Sequence, residues 1–275
     1  MKIAVVMDPI SNIDFKKDST LLLIYEAQKR NHDVFYIESN NLFFDGKEAC
    51  ALSSKIKVKM DRENWFSLED INKIFLKDLD VVFMRQDPPF DMGYINNTYV
   101  LDSAEKGGVK IYNKPSALRN FNEKISILEY SKFCTETIIA SEKKLILNFI
   151  QQHKDVVSKP LNLMGGQGIE KLNLNQKNLI DKLKKSTKDF KEKIMVQKFI
   201  ERVYEGDKRI LIINGKPSEY AVVRTPARGE FKGNLAAGGK ASIEKLNKIE
   251  EKIASEIAPR PVSYTHLTLP TSYAV

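Results

Sequence analysis

Residues 2 to 7, Lys-Ile-Ala-Val-Val-Met, form a short apolar run rich in β-branched side chains that stops at Asp8-Pro9. Such a run reads as a buried strand emptying into a loop. Asp18-Ser19 then supplies a helix N-cap. Leu22, Tyr25, Glu26 and Lys29 follow on one helical repeat that closes near Asn31-His32. Val34 to Ile37 is the next strand. Strand, helix and strand at this spacing make a parallel crossover unit, which commits the start of the chain to a doubly wound α/β domain. Asp80 to Arg85 reads as a further buried strand, 94 to 106 as a helix, and Val109 to Tyr112 as a last short strand. Ligands of open α/β sheets collect at the carboxyl ends of strands, so Arg85 and the turn Asp87 to Asp91 are candidates for a site.

This first unit ends near residue 120. Up to there the chain carries 17 basic and 18 acidic side chains, and beyond it 27 and 18, so the net charge of +8 comes from the second part. Nucleic-acid binding would need a concentrated basic face with stacking aromatics or a recognisable module, and neither occurs. Among the 275 residues, of which 42% are hydrophobic, no apolar run approaches the roughly 20 residues of a membrane helix. The opening apolar stretch is too short for a secretory signal. Cys50 and Cys134 build neither a disulfide framework nor a metal motif. The expectation is a protein of a reducing cytoplasm, without nucleic-acid or membrane partners.

After residue 120 the pattern changes. Residues 122 to 132 read as a helix, 137 to 140 as a strand, 142 to 152 as a helix, and 155 to 160 as a strand that places Lys159 at its end. Strands at 195 to 200, 208 to 213 and 218 to 224 follow, and Asn214-Gly215 marks a hairpin between the last two. Residues 240 to 257 read as a charged amphipathic helix. The Met164 to Gly168 loop could turn backbone N–H groups toward a phosphate, yet alone it is as consistent with a plain turn. It is not a P-loop, because no Gly-x-x-x-x-Gly-Lys-Ser/Thr occurs. The first strand runs into Asp8-Pro9 rather than glycines, so a dinucleotide fingerprint is also absent. His32, His153 and His266 lack partners for a catalytic triad.

Ordered blocks narrow this further. They are Val-Met-Asp-Pro-Ile at 6 to 10, Lys-Lys-Asp-Ser at 16 to 19, Arg-Gln-Asp-Pro-Pro-Phe-Asp at 85 to 91, Asn-Lys-Pro at 113 to 115 and Asn-Glu-Lys at 122 to 124. Lys-Pro-Leu at 159 to 161, Met-Gly-Gly at 164 to 166, Gly-Asp-Lys-Arg at 206 to 209 and Gly-Asn-Leu-Ala-Ala-Gly-Gly at 233 to 239 continue the series. Together they resemble bacterial glutathione synthetase, an ATP-grasp ligase, from about residue 1 to 258. The resemblance implies a pre-ATP-grasp domain over 1–120, then an α+β ATP-grasp fold with a lid subdomain over 121–200 and a core subdomain over 201–258.

Carried over position by position, Lys124 and Lys159 match the lysines that reach the ATP phosphates, and Gly165 and Gly166 lie in the glycine-bearing loop beside them. Gln197, Lys198, Phe199 and Ile200 match the hinge whose backbone meets the adenine edge, and Asp207 an acid on the ribose. Arg209 and Arg224 match residues that hold the transferred phosphoryl group and the acyl-phosphate, a role suited to planar guanidinium donors. Gly233, Asn234, Gly238 and Gly239 match a substrate and phosphate loop. Arg85 and Asp87 would face the peptide substrate. The implied reaction is ATP-dependent ligation of γ-glutamylcysteine to glycine with Mg2+, Mn2+ being an alternative, in a homo-oligomer, commonly a tetramer. Another ATP-grasp carboxylate–amine ligase, or a nucleotide-binding protein without catalysis, are the rival readings.

Departures accompany the match. Asn162-Leu163 stand where the family usually has Asp-Gly, and Lys232 stands where its mobile loop often has arginine. From Pro259 to Val275 the only formal charge is Arg260, and residues 261 to 271 resemble translated sequencing-adapter sequence. This tail reads as non-native. The family's metal ligands lie in a segment expected beyond it, so no metal ligand is assigned here, the ATP-grasp fold is expected to be incomplete, and the 275-residue chain is expected to be inactive. Such an ending would also leave the strands at 208 to 213 and 218 to 224 with an open edge and exposed apolar side chains.

Overall fold

The computed structural model describes residues 1–213, 215–233 and 238–259. It divides into two compact units, Met1–Asn120 and a second that starts at Phe121.

The first unit runs β1 (Lys2–Met7), α1 (Ser19–Lys29), β2 (Asp33–Glu38), β3 (Leu42–Phe44), β4 (Ala49–Val58), β5 (Phe66–Leu68), β6 (Asn72–Phe75), β7 (Val81–Met84), α2 (Met92–Lys106), β8 (Lys110–Tyr112) and α3 (Pro115–Asn120). β1 lies between β2 and β7, parallel to both, and β8 extends the parallel set beyond β7. Its two faces enter different cores, which is why its sequence is apolar throughout. Ile3, Val5 and Met7 pack with Leu21, Ile24 and Ala27 of α1, while Ala4 and Val6 pack with Leu101 and Ala104 of α2. Helices therefore cover both faces of the sheet. Each is started by an aspartate: Asp18 accepts from the N–H groups of Thr20 and Leu21, and Asp91 from that of Tyr94. Between β2 and β7 the chain makes an excursion in which the long β4 pairs antiparallel with β2, β3, β5 and β6.

The second unit contains β9 (Thr137–Ala140), α4 (Lys143–His153), β10 (Val156–Pro160), β11 (Glu170–Leu172), α5 (Leu179–Ser186), β12 (Ile194–Lys198), β13 (Asp207–Ile213), β14 (Lys216–Thr225), β15 (Lys240–Lys245) and α6 (Lys248–Ile257). Its first sheet has the order β11-β10-β12-β9, antiparallel throughout. Side-chain alternation sends Val156, Ile194, Val196 and Ala140 into a core with Ile146 and Ile150 of α4 and Leu179 and Leu183 of α5. Val157, Lys159, Met195, Gln197 and Thr137 occupy the other face. Its second sheet has the order β13-β14-β15, and one face packs on α6 through Ile212, Ile253 and Ile257. On the opposite face Leu211, Ile213, Tyr220, Val222 and Ile243 are exposed, and β13 is an edge strand among the described residues.

Two expectations need correction. The segment expected to be a helix over 122 to 132 is a 3-10 stretch, Ile125–Phe133, broken at Tyr130 (φ −124°, ψ 30°). Tyr130 and Phe133 pack with Ile212, Ile253 and Ile257. The helix expected over 240 to 257 begins only at Lys248. Residues 240 to 245 form β15, paired with β14 from Thr225↔Lys240 to Tyr220↔Lys245. Asn247 separates the two elements. Its side chain accepts from the N–H groups of Ile249 and Glu250 at 2.9 and 3.0 Å, and Glu250 accepts from the Asn247 N–H at 2.9 Å, a reciprocal capping box. Among the described residues no helix is long and apolar enough to cross a membrane. The tail expected from Pro259 lies, after that residue, outside the described residues.

The capping box gives a direct check on this boundary. Asn247→Ala should destabilise the protein by about 0.5–2 kcal/mol in denaturant unfolding. A helix continuous across 247 would instead gain stability, because alanine is the better interior helix former.

Candidate active site

The pleat of the first sheet sets one row of residues. Gln197 on β12 lies opposite Thr137 on β9 and Val157 on β10, and Lys159 is the next β10 residue on that face, opposite Met195. The Lys159 ammonium donates to Gln197 Oε1 at 2.6 Å, and Gln197 Nε2 donates to Thr137 Oγ1 at 2.9 Å. Among the described residues no carboxylate pairs with Lys159. Burial pushes its pKa below the ordinary lysine value, and the nearby Lys124 pushes it further in the same direction. Lys124 donates to the Leu163 carbonyl and to the Glu123 carboxylate, the latter at 2.6 Å. It thereby ties the 3-10 stretch to the loop after β10, in which Gly165 and Gly166 adopt φ of 62° and 80°.

The second sheet contributes a second row. Asp207 and Arg224 are directly opposite across β13 and β14, and Arg209, two residues after Asp207, shares their face. Arg224 donates Nε and Nη2 to the two Asp207 oxygens at 2.8 Å each, a bidentate pair. Arg209 Nε is buried and has no partner among the described residues. Burial lowers the Arg209 pKa and the neighbouring Arg224 lowers it further, while Asp207 and Glu123 act in the opposite direction. Glu123 thus links the two rows: it pairs with Lys124 and lies within electrostatic reach of Arg209. Four cations, Lys124, Lys159, Arg209 and Arg224, converge with two carboxylates. A polyanion is the ligand that would relieve their mutual repulsion.

Gly233 closes this cluster from the loop after β14. A Cβ on Gly233 would run into Asp207 Oδ2 and stand 3.0 Å from the Arg224 carbonyl. The same loop reaches the other side of the site, where Phe231 meets Phe199 edge-on at 5.9 Å and Lys232 passes the backbone of Gly166. Lys171 lies over the Phe199 ring, 3.9 Å from its centroid. In the segment expected to be the hinge, the N–H groups of Lys198 and Phe199 donate to Glu136 and Asp155 carbonyls, and the Ile200 carbonyl accepts from Val203. The Ile200 N–H makes no bond among the described residues, so the expected base-binding segment offers its donor there. Gly238 (φ +88°) and Gly239 follow the loop, and Asn234 lies outside the described residues.

Arg85 and Asp87 belong to the first unit. Arg85 is held by the start of α1, donating Nε to Thr20 Oγ1 and Nη2 to Ser19 Oγ, both at 3.1 Å. The Asp87 N–H donates to Asp8 Oδ2 at 2.9 Å. The Asp87 carboxyl reaches the surface, yet its partial burial raises its pKa, with Asp8 and Asp18 adding to the shift and Arg85 opposing it. Thr137 and Phe231 lie outside the blocks that carry the resemblance, and Asp8 and Glu123 lie inside them without an assigned role. The place of Thr137 comes from cross-strand register and that of Phe231 from loop packing, and no motif spacing announces either.

The profile of the prokaryotic glutathione synthetase N-terminal domain matches residues 1–119, and that of the prokaryotic glutathione synthetase ATP-grasp domain matches residues 123–266. The chain belongs to the prokaryotic glutathione synthetase family. The glutathione synthetase of Wigglesworthia glossinidia brevipalpis is 41% identical over 261 residues, covering 94% of this chain and 81% of the relative. That of Buchnera aphidicola is 39% identical over 259 residues, covering 94% and 81%. Among solved structures, D-cycloserine synthetase DcsG aligns with a TM-score of 0.60 at 10% identity, over 98% of this chain and 84% of that one. D-alanyl-alanine synthetase A from Vibrio cholerae aligns with a TM-score of 0.55 at 14% identity, over 94% and 79%. These two speak for the fold alone. Family membership makes the chain an ATP-dependent carboxylate–amine ligase by class, with ATP and a divalent metal as the cofactors of that class and small molecules as substrates.

Gly233→Ala should disturb the Asp207–Arg224 pair by overpacking, at a cost of about 1–3 kcal/mol. ATP affinity, measured by calorimetry, should then fall by roughly 5- to 150-fold. Affinity equal to that of the parent protein would mean that the loop does not rest on this pair when nucleotide binds.

Proposed function

We propose that this site is built to join γ-glutamylcysteine to glycine, releasing glutathione, ADP and phosphate. ATP supplies the activation: a carboxylate oxygen of the dipeptide attacks the γ-phosphorus, ADP leaves, and the glycine amine then displaces phosphate from the acyl carbon. The observation that carries this reading is the convergence of Lys124, Lys159, Arg209 and Arg224, with the buried Arg209 Nε unpartnered among the described residues.

In this reading Lys124 and Lys159 hold the ATP phosphates, with Gly165 and Gly166 letting the adjoining backbone approach them. Arg209 takes the phosphoryl group in flight, because its Nε is buried without a partner among the described residues and a guanidinium donor suits charge that develops in the transition state. Arg224, aimed by Asp207, holds the acyl-phosphate. Asp207 also serves the ribose, and the segment from Gln197 through Lys198 and Phe199 to Ile200 serves the base. Gly233, Asn234, Gly238 and Gly239 form the loop over the substrate, and Arg85 and Asp87 receive the dipeptide. The reading treats 1–120 as the pre-ATP-grasp domain, 121–200 as the lid and 201–258 as the core. Mg2+ or Mn2+ is the metal; among the described residues no group of three His, Cys, Asp or Glu side chains fits one, and no step is assigned to it. The resemblance adds a cytoplasmic homotetramer.

Phosphate release from ATP tests the reaction, run on the 275-residue chain and on the chain extended with the remaining residues of the Wigglesworthia relative. The extended protein should release phosphate only when γ-glutamylcysteine and glycine are both present. Lys124→Ala should lower its kcat/KM for ATP by roughly 10- to 150-fold, the loss of one charged hydrogen bond. Release that ignores γ-glutamylcysteine and follows another carboxylate would overturn the assignment.

A further inference from the structure

Lys159 has a long, freely rotating stem, and its partner here is an amide rather than a carboxylate. A carboxylate at the same place would fix the ammonium but cancel the charge a phosphate needs. An amide oxygen fixes it and leaves the charge intact. For this to work the amide must present its oxygen and not its nitrogen, and the next two residues decide that. Thr137 donates its single hydroxyl hydrogen to the Thr135 carbonyl at 2.7 Å. Toward Gln197 the hydroxyl can then only accept, which it does from Nε2 at 2.9 Å. Gln197 is 9% exposed, so water is a poor substitute for either contact. The chain Lys159, Gln197, Thr137, Thr135 carbonyl has a donor that cannot accept at one end and an acceptor that cannot donate at the other. Every intermediate orientation is therefore determined.

We propose that Thr137 and the Gln197 side chain are positioning residues for the reaction: they hold the Lys159 ammonium, charge intact, where the nucleotide phosphates bind. Neither side chain needs to touch the nucleotide. The placement follows from register, since Thr137 and Gln197 are directly opposite on β9 and β12 and Lys159 is the diagonal neighbour of Gln197 on β10. The inference rests on the reading of Lys159 as a phosphate-binding lysine.

The test is calorimetric binding of ATP and of adenosine to the 275-residue chain, with thermal melting to confirm folding of each variant. Thr137→Val keeps the side-chain shape and removes the hydroxyl. It should weaken ATP about 2- to 10-fold, the range for losing one neutral hydrogen bond, and leave adenosine affinity unchanged. Thr137→Ser should restore the parent value. In the Lys159→Ala background Thr137→Val should have no further effect, because its action passes through the lysine. If Lys159→Ala weakens ATP while Thr137→Val does not, or if Thr137→Val weakens ATP and adenosine alike or retains its full effect without the lysine, the positioning role is wrong and the phosphate reading stands. If Lys159→Ala itself leaves ATP affinity untouched, the phosphate reading fails and the positioning role with it. Should Thr137→Val melt far below the parent protein, Thr137→Ala, which also removes the hydroxyl, makes the same comparison, with the same outcomes counting for and against.

Discussion

β12 runs between two antiparallel partners, and the two-residue period of its side chains separates the core of its sheet from its chemistry. Ile194 and Val196 lie against α4 and α5, while Met195 and Gln197 face the other way with Lys159 and Thr137. A slip of β10 by one residue would carry Lys159 toward the apolar layer under the helices, where an unpaired ammonium is costly. Burial of Val156, Ile194 and Val196 therefore also determines which face receives the cation. Core packing and site geometry are consequences of one register.

The second sheet meets the same requirement with charge. Asp207 and Arg224 lie opposite each other and form a bidentate pair, which leaves Arg209 without a carboxylate of its own among the described residues. With Lys124 bound to Glu123 and Lys159 bound, among the described residues, to an amide and no carboxylate, positive charge is concentrated where the two rows meet. That arrangement is unfavourable in itself. It persists because flanking packing holds the cations in place, and a polyphosphate would turn the repulsion into attraction. The exposed Leu211, Ile213, Tyr220, Val222 and Ile243 continue the face that carries the arginines.

Much of the parallel core is legible in the sequence, because a strand buried on both faces is apolar throughout, as Lys2 to Met7 is, and because Asp18 marks a helix start. The excursion through β3 to β6 is not. Its β4 alternates small, polar and apolar residues, and pairs with four strands whose order no local pattern specifies. Residues 240 to 257 mislead because Ile243, Ile249, Ile253 and Ile257 mimic a helical stripe. Ile243 is 74% exposed on a strand, and only the capping box at Asn247 separates the two elements. At the site the resemblance supplies Lys124, Lys159, Arg209 and Arg224, and the structure brings them together. It cannot supply the mutual engagement of Asp207 and Arg224 or the link from Thr137 to Lys159, since both depend on which residues stand opposite across a sheet.

The central claim is that Lys159 is held ready for phosphate. Burial and then Lys124 lower its pKa below the ordinary 10.5 in the free protein. A bound polyphosphate favours the ammonium and raises that pKa, so ATP binding should take up protons at alkaline pH, between the free and the bound values. Calorimetric titration with ATP in two buffers of different ionisation enthalpy measures that uptake directly. The account predicts net proton uptake in the parent protein that vanishes in Lys159→Met; equal uptake in both proteins, or none in either, would contradict it.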